Sequence, residues 1–213
     1  MPVAAVIFDF NGTLSDDEPV LCEIFMHLFA EHGRPLSAQE YFDRLAGLSD
    51  PAIVTTWLGE DHPDVQAVID ERTTRYRAAA ADGSTIREHT REAVRWAAER
   101  VPLAICSGAA RAEIEPVVEA AGLAACFLAI VSSDDVVRGK PDPEGYVKTL
   151  ALLEVDPAEA LVFEDTEAGI ASARAAGVGQ VLAMRTTLEP HRLEQADELL
   201  DRIDVDVMRR FLF

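Results

Sequence analysis

Positive charge is scarce in this chain. Its 213 residues include 19 lysines and arginines against 38 aspartates and glutamates, a formal charge of −19. That deficit argues against nucleic acid or an anionic membrane surface as partner. Lysine is rarer still, occurring only at Lys140 and Lys148. Cysteine is limited to Cys22, Cys106 and Cys126, an odd number without a C-x-x-C pair. This count argues against zinc ligands and suits a reduced, cytoplasmic protein. No apolar run approaches the length of a membrane span, and no basic region precedes the first apolar stretch. Neither a spanning helix nor a secretory leader is therefore expected. Internal repeats and low-complexity tracts are also missing.

What is present is an ordinary globular composition, 49% hydrophobic, in a chain long enough to bury a sizeable core. Short apolar runs predict buried strands at "VAAVIFDF", "PLAICS", "FLAIVSS", "ALVFED" and "QVLAM". Between the later runs, "REAVRWAAER", "RAEIEPVVEAAG", "PEGYVKTLALLEV" and "EAGIASARAAG" space their apolar residues as helices do. Gly122 and Gly177 stand where helix C-terminal glycines belong. The alternation implies an α/β fold, a Rossmann-like parallel-sheet core joined by right-handed crossovers.

The first strand breaks that rhythm. It is followed by about seventy residues that read as four helices, over 19–32, 37–46, 51–58 and 63–81. Ser37 with Glu40 makes a capping-box signature, and Asp50-Pro51 reads as an N-cap with proline at the first helical position. The acidic pair Asp16-Asp17 reads as the cap of the first of these helices. The expected organisation is a core of residues 1–16 and 84–213 with an inserted α-helical cap domain of residues 17–83. "ADGST" is the expected return hinge.

Ligands of open parallel sheets bind at the carboxyl ends of the strands, so the residues ending each run matter. The first run ends on Asp9, the second on Ser107-Gly108 and the fourth on Glu164-Asp165, while "RGKPDP" with Lys140 follows the third. Carboxylates suit a hard cation such as Mg²⁺. A lysine and a hydroxyl can hold phosphoryl oxygens, and a carboxylate in line with phosphorus can act as nucleophile.

The motifs "DFNGTL", "ICSG", "GKPDP" and "FEDTEAGIASARAAG", in this order across nearly the whole chain, resemble those of the haloacid dehalogenase superfamily. The likeness is to its phosphatases and phosphomutases with a small helical cap. The resemblance implies Asp9 as nucleophile and Mg²⁺ ligand. It implies Lys140 as partner of the nucleophile and the phosphoryl group, with Thr13, Ser107 and Gly108 on phosphate. Asp165 would complete the metal site, Glu164 would join it directly or through water, and the backbone carbonyl of Asn11 would contribute. "LAGLSD" resembles a substrate-specificity loop, with Gly47 and Ser49 near the leaving group and Arg44, Arg72 and Arg75 as anion binders. The implied partner is a small phosphorylated metabolite, and the protein is expected as a monomer or homodimer.

One residue departs from the pattern. Such phosphatases usually carry a second aspartate where Asn11 stands, and an amide has no titratable proton near neutrality. Loss of a positioned acid/base removes ~10²–10⁴ in rate. Four readings stay open: a substrate with a good leaving group, a proton supplied by Asp16, Asp17 or a cap residue, a phosphate-ligand binding protein or slow phosphoenzyme-trapping relative, or a trapping variant made by substitution.

Overall fold

The computed structural model describes residues 2–212. Among these, six strands form one parallel sheet: β1 (Ala5–Phe8), β2 (Leu103–Cys106), β3 (Ala129–Val131), β4 (Ala160–Glu164), β5 (Gln180–Met184) and β6 (Glu198–Leu200). Their order is β3-β2-β1-β4-β5-β6, and every neighbouring pair is parallel. Each residue of β1, β2 and β4 is buried, as a sheet covered on both faces requires of its central strands. Phe8 and Phe163 are register partners on β1 and β4, and their rings stack at 5.2 Å. The sixth strand was not foreseen in the sequence. It is three residues long at the sheet edge, with Glu198 and Leu199 only half-buried.

The crossovers use α5 (Glu88–Ala98), α6 (Arg111–Ala120), α7 (Glu144–Leu153) and α8 (Glu167–Ala175), and α9 (Val205–Leu212) ends the described chain. Helix α7 packs on β2 and β3, α8 on β4 and β5, and α9 on α5. Gly122 and Gly177 follow α6 and α8 with φ of +69° and +84°, the left-handed backbone that glycine adopts without a Cβ penalty.

Between β1 and α5 lie α1 (Glu18–Glu31), α2 (Ala38–Arg44), α3 (Asp50–Leu58) and α4 (Val65–Ala79). Their shared interior is aromatic: Phe25 meets Phe29 and Tyr41, and Phe29 stacks on Trp57. The capping box of Ser37 and Glu40 forms at the start of α2. For α3 the cap position falls on Ser49, one residue before the expected Asp50, whose carboxylate instead faces Arg72. The chain leaves β1 and returns to α5 at one place, where the Asp16 N–H donates to the Thr85 carbonyl at 2.9 Å. The Ser15 hydroxyl donates to the Thr85 hydroxyl beside it at 2.8 Å. Among the described residues no helix is long and apolar enough to cross a membrane.

Candidate active site

Strand order runs outward from β1 in two directions, through β2 to β3 and through β4 to β6. The crevice beyond the carboxyl ends of β1 and β4 is thus the switch point where such sheets bind ligands. Asp9 follows β1 directly. Its N–H donates to the Phe163 carbonyl at 2.9 Å, extending the ladder by one residue and fixing the carboxylate beside the end of β4. Glu164 ends β4 and Asp165 follows it. One oxygen from each of Asp9, Glu164 and Asp165 lies within 4.8 Å of the others, and all three residues are buried.

Lys140 crosses to this cluster from the loop after β3. Its Nζ donates to Asp9 Oδ1 and to Glu164 Oε1, each at 2.5 Å. Glu164 is held further by the Tyr146 hydroxyl at 2.6 Å and by its own neighbours, the Asp165 N–H and the Thr166 hydroxyl. Asp165 accepts from the Thr13 hydroxyl at 3.2 Å and from the Thr187 hydroxyl. Two glycines make room for these carboxylates. A Cβ at Gly169 would lie 2.0 Å from the Glu164 carboxyl carbon, and one at Gly12 would lie 2.1 Å from Asp165 Oδ2.

One ammonium does not balance three buried carboxylates. Burial pushes the Asp9 carboxyl up to about 7 with Glu164 adding to the rise, although Lys140 pulls against it. Burial also raises Asp165 well above the usual range, reinforced by the charges of Asp9 and Glu164. Lys140 stays protonated: burial disfavours its charge, but Asp9 and Glu164 more than offset that. An all-oxygen donor set with surplus buried negative charge fits a hard divalent cation.

The other residues singled out in the sequence are placed less uniformly. Ser107 is buried at the end of β2, next to β1, where its Oγ accepts from the Ala109 N–H at 3.1 Å. Gly108 beside it is exposed. Gly47 lies against the sheet domain's loops, since a Cβ there would approach Thr166 Cγ2 to 3.3 Å and Leu188 to 3.5 Å. Ser49 is exposed at the start of α3, and the Arg44 guanidinium lies over the Trp57 ring. Two arginines expected as anion binders are otherwise engaged. Arg72 is buried against Glu113 and Asp50, and Arg75 pairs with Glu31 and Glu71.

Asn11 is half-buried, and its Nδ2 donates to Asp17 Oδ2 at 2.9 Å. Asp17 stands at the N-cap position of α1 yet makes no side-chain cap bond there. The expectation of a helix cap is therefore corrected: this carboxylate turns back to Asn11 and Gly12. Asp16 pairs with Arg87 at 2.8 Å. Sequence reasoning missed Tyr146, Thr187 and Tyr76. Thr187 had a signal, because it comes just after β5 and the strand-end rule applies to β5 as to β1 and β4. Tyr146 and Tyr76 lie within helical patterns that mark them only as buried.

The chain belongs to the haloacid dehalogenase-like hydrolase family, whose profile matches residues 6–183. Its relatives include validoxylamine A 7'-phosphate phosphatase of Streptomyces hygroscopicus, 32% identical over 91% of this chain and 91% of that protein. Phosphorylated carbohydrates phosphatase of Thermotoga maritima is 27% identical over 92% of this chain and 90% of that protein. Among solved structures, an aspartate-to-asparagine mutant of CbbY from Rhodobacter sphaeroides, in complex with xylulose-(1,5)bisphosphate, superposes with a TM-score of 0.81. It is 25% identical, with 94% of this chain and 95% of that chain covered.

Proposed function

We propose that this protein is a Mg²⁺-dependent phosphatase of small phosphorylated metabolites that works through an aspartyl phosphate on Asp9. The observation that carries the reading is the buried cluster of Asp9, Glu164 and Asp165 with Lys140 spanning two of its carboxylates. Phosphatases of this family generally use a divalent metal. Here Asp9, Glu164 and Asp165 would hold it, with the Asn11 backbone carbonyl, and the ion would neutralise charge on the phosphoryl group when bound.

The chain's own residues do the rest. An Asp9 oxygen attacks phosphorus while the bond to the leaving oxygen breaks, and that oxygen takes its proton from solvent. Water then attacks the same phosphorus and gives its proton to solvent, the bond to Asp9 breaks with its electron pair returning to the carboxylate, and inorganic phosphate leaves. Lys140 offsets charge on the transferring group, and Ser107, the Gly108 N–H and Thr13 orient its oxygens. The Asn11 side chain orients the second-step water without taking its proton. Gly47, Ser49 and Arg44 stand for the substrate-selecting loop. The unpaired Cys22, Cys106 and Cys126 and the charge of −19 support a cytoplasmic setting without nucleic-acid or membrane partners.

A second reading is favoured by the Asn11 amide. Without an acid/base at that position, turnover is slow and the protein acts as a binder or holds its phosphoenzyme. The test is phosphate release with Mg²⁺ from hexose phosphates, a pentose bisphosphate and acetyl phosphate. Release that Asp9→Asn abolishes supports the phosphatase. Thermal stabilisation by a sugar phosphate with Mg²⁺ but without release supports the binder, and release undiminished in Asp9→Asn sinks the mechanism.

A further inference from the structure

The phosphoryl-transfer chemistry does not use the group that holds Asn11. Asp17 is fully buried, and three donors converge on it. Its Oδ1 accepts from the Gly12 N–H at 3.0 Å. Its Oδ2 accepts from Asn11 Nδ2 at 2.9 Å and from the Tyr76 hydroxyl. Tyr76 is equally buried and belongs to α4, and its oxygen lies 3.5 Å from the same Asn11 nitrogen. A carboxylate surrounded in this way acts as acceptor, so the nitrogen of the Asn11 side chain faces it and not the oxygen. An aspartate at position 11 would put an oxygen in that place, against Asp17 Oδ2. The nearby Tyr76 proton is already given to Asp17, so an acceptor oxygen at position 11 would face Asp17 Oδ2 without a donor between them.

We propose that Asp17 is a positioning residue that specifies an amide at position 11. Asn11, Asp17 and Tyr76 form one hydrogen-bonded unit that ties the loop after β1 to helix α4. The second carboxylate of this neighbourhood is built into position 17 instead of position 11, and the surroundings of Asn11 are made for an amide. Because its N–H groups point to Asp17 and Tyr76, Asn11 offers a ligand only its amide oxygen, an acceptor. Exchanging the two residue types keeps the pattern. With Asp17→Asn, the new amide oxygen accepts from Gly12 and its nitrogen donates to the carboxylate that Asn11→Asp supplies.

The test is a four-member cycle of the full chain, Asn11→Asp and Asp17→Asn singly and together beside the unaltered protein. It is read by thermal unfolding without metal and by phosphate release with Mg²⁺ from p-nitrophenyl phosphate and a hexose phosphate. Each single change is expected to lower the midpoint by roughly 5 °C, and the pair to recover most of that loss. Only the activity arm rests on the phosphatase reading. There the exchanged pair is expected to release phosphate about 10²-fold faster than Asn11→Asp alone. Additive midpoint losses overturn the proposal, as does a single Asn11→Asp that is as stable as the unaltered chain and as active as the pair. If Asn11→Asp fails to fold, a folded double variant upholds the pairing, and an unfolded one overturns it. Non-additive midpoints without release from any variant uphold the pairing and sink the phosphatase reading.

Discussion

Two buried ionic clusters in this molecule are built differently. In the first, Lys140 of the loop between β3 and α7 meets Asp9 and Glu164, with Asp165 beside them, at the ends of β1 and β4. In the second, Arg72 of α4 meets Glu113 of α6 and approaches Asp50 of α3, its Nε 3.5 Å from the Asp50 carboxylate. The arginine fork fastens one helix to two others, and a fixed planar group suits that task. The lysine is a single point charge among three carboxylates, so it leaves negative charge unbalanced and oxygen atoms available. One guanidinium faces two carboxylates in the second cluster and one ammonium faces three in the first, so the first is the shorter of positive charge. The proposed chemistry falls to the first, and the second holds α4 to α6 and α3.

Substitutions can break or sharpen that contrast. The largest difference is expected in activity. Asp9→Asn should lower phosphate release by about 10⁴-fold or more, the scale of a lost nucleophile. Arg72→Met should leave the rate per folded molecule within about tenfold, because Arg72 stabilises the fold without touching phosphorus. Steady-state kinetics on both variants, corrected for folded fraction by circular dichroism, decide this. An Arg72→Met loss as large as that of Asp9→Asn would dissolve the distinction.

Stability should divide the clusters next. Removing one partner of a buried ion pair costs about 3–5 kcal/mol, so Lys140→Met and Arg72→Met should each unfold in less urea. Mg²⁺ should restore part of the loss in Lys140→Met, where a divalent ion takes over the missing charge, and none in Arg72→Met. Equal rescue of both would show that the metal does not act at the first cluster.

A pH dependence should follow from Glu18, which borders the second cluster. Its carboxyl is pushed up to about 7 mainly by burial. The charges of Asp17 and Asp50 add to the rise, and the Tyr41 hydroxyl and Arg72 pull against it. The folded chain thus keeps this proton above the pH at which the unfolded chain loses it, and Glu18 favours folding least once both states are ionised. Its contribution is full below about 4.5 and falls as pH rises to about 7. Glu18→Gln should remove that slope, on the order of 3 kcal/mol across the window, in urea titrations at pH 4.5 and 8. A slope unchanged in Glu18→Gln would show that Glu18 carries no such shift.

The smallest effect is expected at Thr187. Thr187→Val keeps the shape and removes the hydroxyl donated to Asp165, costing about 1 kcal/mol. It should also weaken Mg²⁺ by about 10–100-fold, as loss of an outer partner of a metal ligand does. Calorimetric titration with Mg²⁺ measures this, and unchanged affinity would remove Thr187 from the site.

The contrast also explains what the sequence disclosed. Strands β1, β2 and β4 were legible because a centrally buried strand is a continuous apolar run, and the residue just past each run is where the sheet exposes chemistry. Asp9, Ser107, Glu164 and Asp165 were singled out on that ground and Lys140 by its rarity beside a turn, and the fold brings Lys140 onto Asp9 and Glu164 with Asp165 beside them. Strand β6 was not legible, since three edge residues, two of them only half-buried, leave no periodic signal. The role of Asp17 was hidden for a different reason. An aspartate before a helix reads as a cap, and only the fold brings Tyr76 to its carboxylate across 59 positions of chain. The second cluster was misread in the same way, because Arg72 and Glu113 are 41 positions apart.

The hydrogen bond between the Asp16 N–H and the Thr85 carbonyl has a meaning for ancestry as well as for shape. A chain that departs and comes back at a single point can gain, lose or trade everything in between while the register of its sheet stays the same. Changes of length or sequence between these two residues can therefore be absorbed without moving the strand ends. The ties from Tyr76 to Asp17 and from Arg72 to Glu113 are where such a change would be felt outside α1 to α4.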